Sequence, residues 1–346
     1  MTPLKRKLLA EIKRAGPIPV SEYMARCLYD AEHGYYTTHA DLGADGDFIT
    51  APEISQAFGE VIGLALAQAW IDQGKPNPFV LAEAGPGRGV LMSDILRATS
   101  KVDGFHNAMQ IYLLEVSAKL RDIQKQTLQG FDPNWIDDFT ALPDQPLFLV
   151  ANEYLDCLPI RQYRKTELGW QEQMIGINGD DLCFLLGRAT PLPNAPQDAD
   201  FIETAPAAIA QTGAIADHIA SHGGAALIID YGETSVIYDS LQAIADHQKL
   251  SVLDRPGASD LTAHVDFGQI KDAAQSCKIQ GPEAQGMFLE RLGISARMDQ
   301  LAQRSDDPNA IIRAHRRLVH PDEMGKLFKA MAITPKNAAA FAGFES

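Results

Sequence analysis

The stretch VLAEAGPGRGVLMSDIL, residues 80–96, constrains the fold more than any other part of the chain. An apolar run enters three glycines, Gly85, Gly87 and Gly89, after which Leu91, Ile95 and Leu96 return at helical spacing. A strand, a tight turn and a helix are expected in that order. Glycine lets the backbone approach a ligand closely, and a helix N-terminus presents unpaired N–H groups, so a loop of this kind is suited to cradle one.

The spacing narrows the ligand. G-P-G-R-G is neither the G-x-G-x-x-G of a dinucleotide fold nor a loop ending in the G-K-[ST] that grips a triphosphate. Pro86 has no N–H to offer an anion, and Glu83 at the strand end would repel a pyrophosphate. A cation is welcome there instead. S-adenosyl-L-methionine carries an ammonium on its methionine moiety and no phosphate, so a methyl donor is the expected ligand; a dinucleotide and a purely structural turn are the alternatives.

From residue 79 onward strand and helix signals alternate, which predicts an α/β fold with a parallel sheet and right-handed crossovers. Strands are expected at 79–83, 110–115, 135–138, 147–152 and 225–230, and a helix near 206–221. Residues 161–187 read differently, as an antiparallel meander inserted into the domain. The chain therefore divides into a helical extension at 1–75 and a core at 76–346 interrupted by a β-rich insertion at 160–205. Helices are expected near the start, at 20–29 and at 55–73, the last with Ser55 as its cap. Between the latter two lies the Gly- and Asp-rich loop HGYYTTHADLGADGDFITAPEIS, and loops of that length are commonly functional or disordered.

In an open α/β sheet, ligands bind outside the carboxyl ends of the strands, so the residues there are the candidates. Glu115 ends the second strand, thirty residues after Gly85, where an acid can accept both ribose hydroxyls of an adenosine. Asp138 and Phe139 end the third; they suit an adenine amino group and ring, or equally a cap or turn. The fourth drives an apolar run into Asn152, Glu153 and Asp156. Carboxylates at a buried strand mouth are costly unless paired, and a substrate cation would pair them; simple capping is the alternative. The fifth ends at Asp230, Tyr231 and Gly232, followed by SDLTAHVDFGQI. In that segment His264 can be a base, a substrate clamp or a structural histidine, and Asp266 caps the next helix. No His and carboxylate spacing resembles a metal triad.

A formal charge of −15 disfavours a nucleic-acid surface and suits a basic substrate. The 346 residues, 46% hydrophobic and 22% charged, suffice for a full core. Four cysteines, with no C-x-x-C pair, fit a reducing compartment. No apolar run approaches the ~20 residues that span a bilayer. The opening MTPLKRKLLAEIKRAG reads as an ordinary first helix, since Glu11 interrupts its basic run and Leu4, Leu8 and Ile12 form one stripe.

The segments GDFITAPEISQAFGE, EAGPGRG, ANEYLDCLP, IIDYG, DLTAHVDF and MGKLFKAMAI together resemble the NDUFAF7/MidA family of S-adenosylmethionine-dependent methyltransferases, over nearly the whole chain. The resemblance implies a class I methyltransferase fold, with a Rossmann-like seven-stranded sheet, a helical N-terminal extension and an inserted antiparallel β element. It implies that Glu83, Gly85 and Gly87 hold the methionine moiety and Glu115 the ribose. With Gly89, Asp138, Phe139 and Asn152 these form the expected donor site. The family's mitochondrial members methylate arginine in complex I assembly, which implies a protein substrate bearing an arginine, such as a complex I subunit homologue. Glu153 and Asp156 are the expected guanidinium clamp, with His264 as a third candidate. Another acceptor, or an assembly factor that binds the donor with little catalysis, remains open. Because the chain starts at the first family helix, a bacterial, cytoplasmic protein is expected.

Overall fold

The computed structural model describes residues 1–38, 50–192, 195–196 and 198–345. Part of the loop expected at 33–55, including the GDFI of the family-like segment, therefore lies outside the described residues. The core sheet is built from β1 (Phe79–Ala84), β2 (Met109–Leu114), β3 (Asn134–Ile136), β4 (Leu147–Asn152), β5 (Gly224–Glu233), β6 (Lys278–Ala284) and β7 (Phe328–Thr334). These seven strands lie in the order β6-β7-β5-β4-β1-β2-β3. Strands β1 to β5 run parallel to one another, while β7 is antiparallel to both β5 and β6. A two-residue segment, Val265–Asp266, pairs beside the end of β5.

The central strands are apolar on both faces, as a parallel sheet covered by helices requires. Phe79, Leu81, Phe148, Val150, Leu227 and Ile229 point to one side, in a cluster with residues of the helices Gln56–Asp72 and Val90–Thr99. Their sequence neighbours Val80, Ala82, Leu147, Leu149, Ala226 and Ile228 point to the other, toward the helix Pro206–His222 and Phe267. This alternation follows from the two-residue period of a strand. Chain order reverses at β1, which has β2 on one flank and β4 on the other. The crevice beyond their carboxyl ends is where such sheets bind ligands.

The expected helices form at Pro3–Ala15, Val20–Tyr29 and Gln56–Asp72. The Ser55 hydroxyl caps the third, accepting the N–H of Ala57 at 3.2 Å, a contact typically worth about 1 kcal/mol. That helix, read from sequence as part of the extension, packs in the main core. The first two join the insertion instead: Ile18–Pro19 pairs with the strand Gly169–Asn178 of the meander. A third cluster unites Leu4, Leu8, Tyr23 and Leu28 with Ile175 and Leu261.

Two features had no clear sequence signal. A three-stranded sheet, Gln242–Ala245, Gln248–Leu250 and Asp260–Thr262, follows β5. A helical group, Gln285–Arg291, Ile294–Ala302 and Pro308–Val319, precedes β7. It is tied to the core by buried Glu60, which pairs with Arg97 and with Arg297 Nε at 2.5 Å. No described helix is long and apolar enough to cross a membrane.

Candidate active site

The glycine loop leaves β1 with Gly85, Gly87 and Gly89 at φ 64°, 51° and 81°, the left-handed region that favours glycine. A Cβ on Gly85 would meet the Tyr154 ring at 2.8 Å, while one on Gly87 would meet nothing within 4 Å. Gly87 thus opens onto the space in front of the sheet. That space is a cavity of about 800 Å³ spanning the ends of β1, β2, β4 and β5.

Glu83 is buried beneath the loop and its carboxylate accepts the N–H of Met92, in the first turn of the next helix. The protein thereby fills with its own acid part of the site at which a helix N-terminus would bind a phosphate. The other oxygen, Oε2, is buried without a partner, and so is Oδ1 of Asn152 at the end of the neighbouring β4. Burial, with a smaller contribution from Glu115, pushes the Glu83 carboxyl up to about 8. Two unsatisfied acceptors bordering one cavity suit an ammonium with several N–H donors. The residues present therefore fit the methionine end of S-adenosyl-L-methionine.

Glu115 follows β2 and is also buried, which raises its carboxyl above the usual range. Its Oε1 accepts the Ser117 N–H at 2.7 Å and its Oε2 the Gln124 side-chain amide at 3.1 Å. That amide also donates to the Gly87 carbonyl at 2.7 Å, and Gln124 accepts from the Trp135 indole at 2.8 Å. Gln124 thus ties Glu115, the expected ribose acid, to the glycine loop. Nothing in the sequence marked it, because it is one polar residue on an exposed-looking helix.

Asp138 and Phe139 are not among the residues lining the cavity. Strand β3 ends at Ile136, so Asp138 is free to cap a single 3-10 turn, accepting the Thr140 N–H at 2.8 Å, and Phe139 packs against the apolar cluster behind the sheet. The cavity wall carries Asp137 instead, paired with Arg121 at 2.5 Å. The D-F-T spacing was the available signal, since an Asx residue two before a Thr N–H reads as a turn.

The same cavity is lined by Glu153 and Asp156, just after β4. Glu153 has φ 52°, a strained position for a residue with a side chain. Its Oε1 accepts from Ala51 N at 2.8 Å and from the Asn152 amide at 2.9 Å. Burial raises its carboxyl, and the Arg317 charge opposes this. The turn that follows is gathered by Asp230, a fully buried acid at the end of β5. Its Oδ2 accepts three successive backbone N–H groups, Tyr154 at 3.1 Å, Leu155 at 2.9 Å and Asp156 at 3.2 Å, and its Oδ1 accepts that of Tyr231 at 2.9 Å. Burial first, then Glu153, hold Asp230 up at about 7. Burial, and then Asp230, Asp260 and Glu153, drive Asp156 well above the carboxylate range.

His264 lies outside this cavity. Its Nδ1 meets the Tyr238 hydroxyl at 2.8 Å, its ring packs edge-on against Tyr231 at 5.1 Å, and burial lowers its basicity. The candidate base is thus placed as a packed structural histidine. Asp266 caps the following helix as expected, through Gln269 N at 3.0 Å. The cavity wall instead recruits Tyr29, Tyr36, Asp260 and Arg317, which sequence reasoning left without a role.

Residues 61–283 match the family described as "Putative S-adenosyl-L-methionine-dependent methyltransferase". The chain is 37% identical to the protein arginine methyltransferase NDUFAF7, mitochondrial, of Rattus norvegicus, over 97% of this chain and 85% of that protein. The Homo sapiens protein of that name is 35% identical, over 97% and 84%. A crystal structure from Burkholderia thailandensis bound to S-adenosyl-homocysteine superposes with a TM-score of 0.83 at 28% identity, covering 99% of this chain and 95% of that one. Sheet order and these matches together define a class I S-adenosyl-L-methionine-dependent methyltransferase. Within that class, the chain belongs to the NDUFAF7/MidA family. The curated relatives are mitochondrial by name, which overturns the expectation of a cytoplasmic protein.

Proposed function

We propose that this methyltransferase modifies a guanidinium nitrogen of an arginine on a protein, with a complex I subunit homologue as the substrate and complex I assembly as the setting. The observation that carries the reading is the placing of Glu153 and Asp156 in the same cavity as the donor-site groups Glu83, Gly87 and Glu115. The names of the relatives as protein arginine methyltransferases support it.

S-adenosyl-L-methionine, when bound, supplies an electrophilic methyl group. Glu83 and Asn152 would hold its ammonium, and Glu115 its ribose hydroxyls. The remaining task is to aim one acceptor nitrogen and keep positive charge on the others. Carboxylates do this, because a guanidinium presents its N–H donors in a rigid fork that matches a carboxylate edge. Arginine is too basic to be deprotonated beforehand, so the nitrogen–carbon bond forms as the carbon–sulfur bond breaks, S-adenosyl-homocysteine leaves, and the proton passes from the attacking nitrogen to a cavity carboxylate, Glu153 or Asp156, with or after methyl transfer. Burial raises the site's acids, and a bound cation stabilises their ionised forms.

The test is transfer of a labelled methyl group to the complex I subunit homologue, followed by mass spectrometry of the modified residue. Label on lysine, or on no residue of that protein, would overturn the reading. Label on arginine, lost in Glu153→Gln with product-analogue affinity intact, is the expected result.

A further inference from the structure

The acceptor end of the cavity is closed by residues that no part of the donor motif contains. Tyr29 ends the helix Val20–Tyr29, and Tyr35 and Tyr36 begin the short helix Tyr35–Thr38, all on the N-terminal extension. All three line the cavity. The Tyr36 ring lies 5.8 Å from that of Tyr29 and packs edge-on to Tyr35 at 5.4 Å, so the aromatic groups form one continuous wall. The Tyr29 hydroxyl donates to the Cys157 carbonyl at 3.3 Å, which fastens the wall to the turn carrying Asp156. The Tyr36 hydroxyl donates to Asp260 Oδ1 at 2.9 Å.

Asp260 comes from the three-stranded sheet after β5 and is buried, as Asp156 is. Three acids, Glu153 and Asp156 from the turn after β4 and Asp260 from the small sheet, thus line the cavity together, with Arg317 as a cation in the same wall. Such an excess of buried negative charge is costly unless a cation joins it. Tyrosine faces beside the acids add attraction for a flat cation, and their buried phenols stay neutral, because burial raises both Tyr29 and Tyr36 well above the ordinary value.

We infer that Tyr36 and Asp260 form a specificity-determining pair, in which the tyrosine fixes the Asp260 carboxylate so that it joins Glu153 and Asp156 in gripping the acceptor guanidinium. This rests on the arginine reading above and deepens it. The N-terminal extension then has a direct part in substrate choice. A guanidinium, with five donors spread around a plane, can meet acids on two sides, whereas an ammonium concentrates its donors at one point.

The test is calorimetric titration of the protein saturated with S-adenosyl-homocysteine, using a peptide of the complex I subunit homologue that contains the target arginine. Matched peptides carry lysine, or the neutral urea isostere citrulline, at that position. Wild-type protein is expected to prefer arginine over both. Tyr36→Phe should weaken the arginine peptide by ~10-fold and Asp260→Asn by ~10-fold or more, with S-adenosyl-homocysteine affinity unchanged in each. In both variants the preference over lysine should shrink. Native peptide affinity and native selectivity in both variants, in a protein that still methylates arginine, would overturn the pair alone. Equal wild-type affinity for arginine and citrulline peptides would overturn the cationic acceptor reading along with it.

Discussion

The two ends proposed for the cavity, donor and acceptor, are built in different ways. The donor end is local: Glu83, Gly85, Gly87 and Gly89 fall within one strand–turn–helix unit, and Glu115 ends the adjacent strand. The acceptor end gathers Tyr36 from the extension, Glu153 and Asp156 from the turn after β4, Asp260 from a small sheet and Arg317 from a late helix. A methyl donor is the same molecule for every enzyme of this class, so a short motif can serve it. The acceptor differs between enzymes, and its site is assembled from the parts of the chain added around the common sheet.

That contrast predicts variants that damage one end and spare the other. The largest effect is expected from Gly87→Val, which puts a branched side chain at φ 51° facing the open cavity. S-adenosyl-homocysteine affinity should fall ~10²-fold or more and methyl transfer with it, while the melting temperature of the free protein changes less than donor binding does. Retained donor affinity would break the assignment of this loop.

Glu153→Gln reverses the pattern. Shape and donor affinity should survive, and transfer to the arginine substrate should fall ~10² or more, because the orienting charge is gone. Loss of donor binding in this variant would show that the two ends are not separable at β4.

Glu115→Ala should cost donor binding about 1.5–3 kcal/mol through lost charge-assisted hydrogen bonds. Calorimetry checks it, and unchanged affinity would move the ribose to another strand end.

A smaller, pH-dependent effect should sharpen the role of Glu83. Its carboxyl in the free fold sits at about 8, above the unfolded value, so its contribution to stability is complete at low pH and is lost as pH rises toward 8. Binding a cation requires the ionised form. Donor affinity should therefore rise with pH below about 8, by up to ~10-fold per unit, with release of a proton measurable in buffers of different ionisation enthalpy. Glu83→Gln should flatten that slope, and an unaltered slope would place the titrating group elsewhere. The least effect belongs to Asp138→Ala, which removes a turn cap worth roughly 0.5–1 kcal/mol and should leave donor affinity at its native value by calorimetry.

Legibility in the sequence followed the same division. The glycine loop, the five parallel strands and the meander could be read because spacing and periodicity act over a few residues. Asp137 and Asp138 show the resolution of such reading: an acid pair at a strand end is visible, but which member faces the cavity depends on where β3 stops pairing, and it stops at Ile136. His264 was singled out for its chemistry, yet its surroundings, Tyr231 and Tyr238, make it a packed ring.

What the sequence alone determined is a glycine turn between a strand and a helix, an acid at the end of that strand and of the next, and no phosphate motif. Glu153 and Asp156 were legible as acids at a strand mouth, but only the tertiary structure brings Tyr36, Asp260 and Arg317 into the same cavity wall. Tyr36 and Asp260 are separated by 224 positions and meet through a single hydrogen bond, and Asp230 collects backbone N–H groups from a turn more than seventy residues earlier. Neither pairing leaves a local pattern, because a side chain's contacts across the fold depend on how the sheet, the insertion and the extension pack, and packing energy is shared over all the residues of those elements.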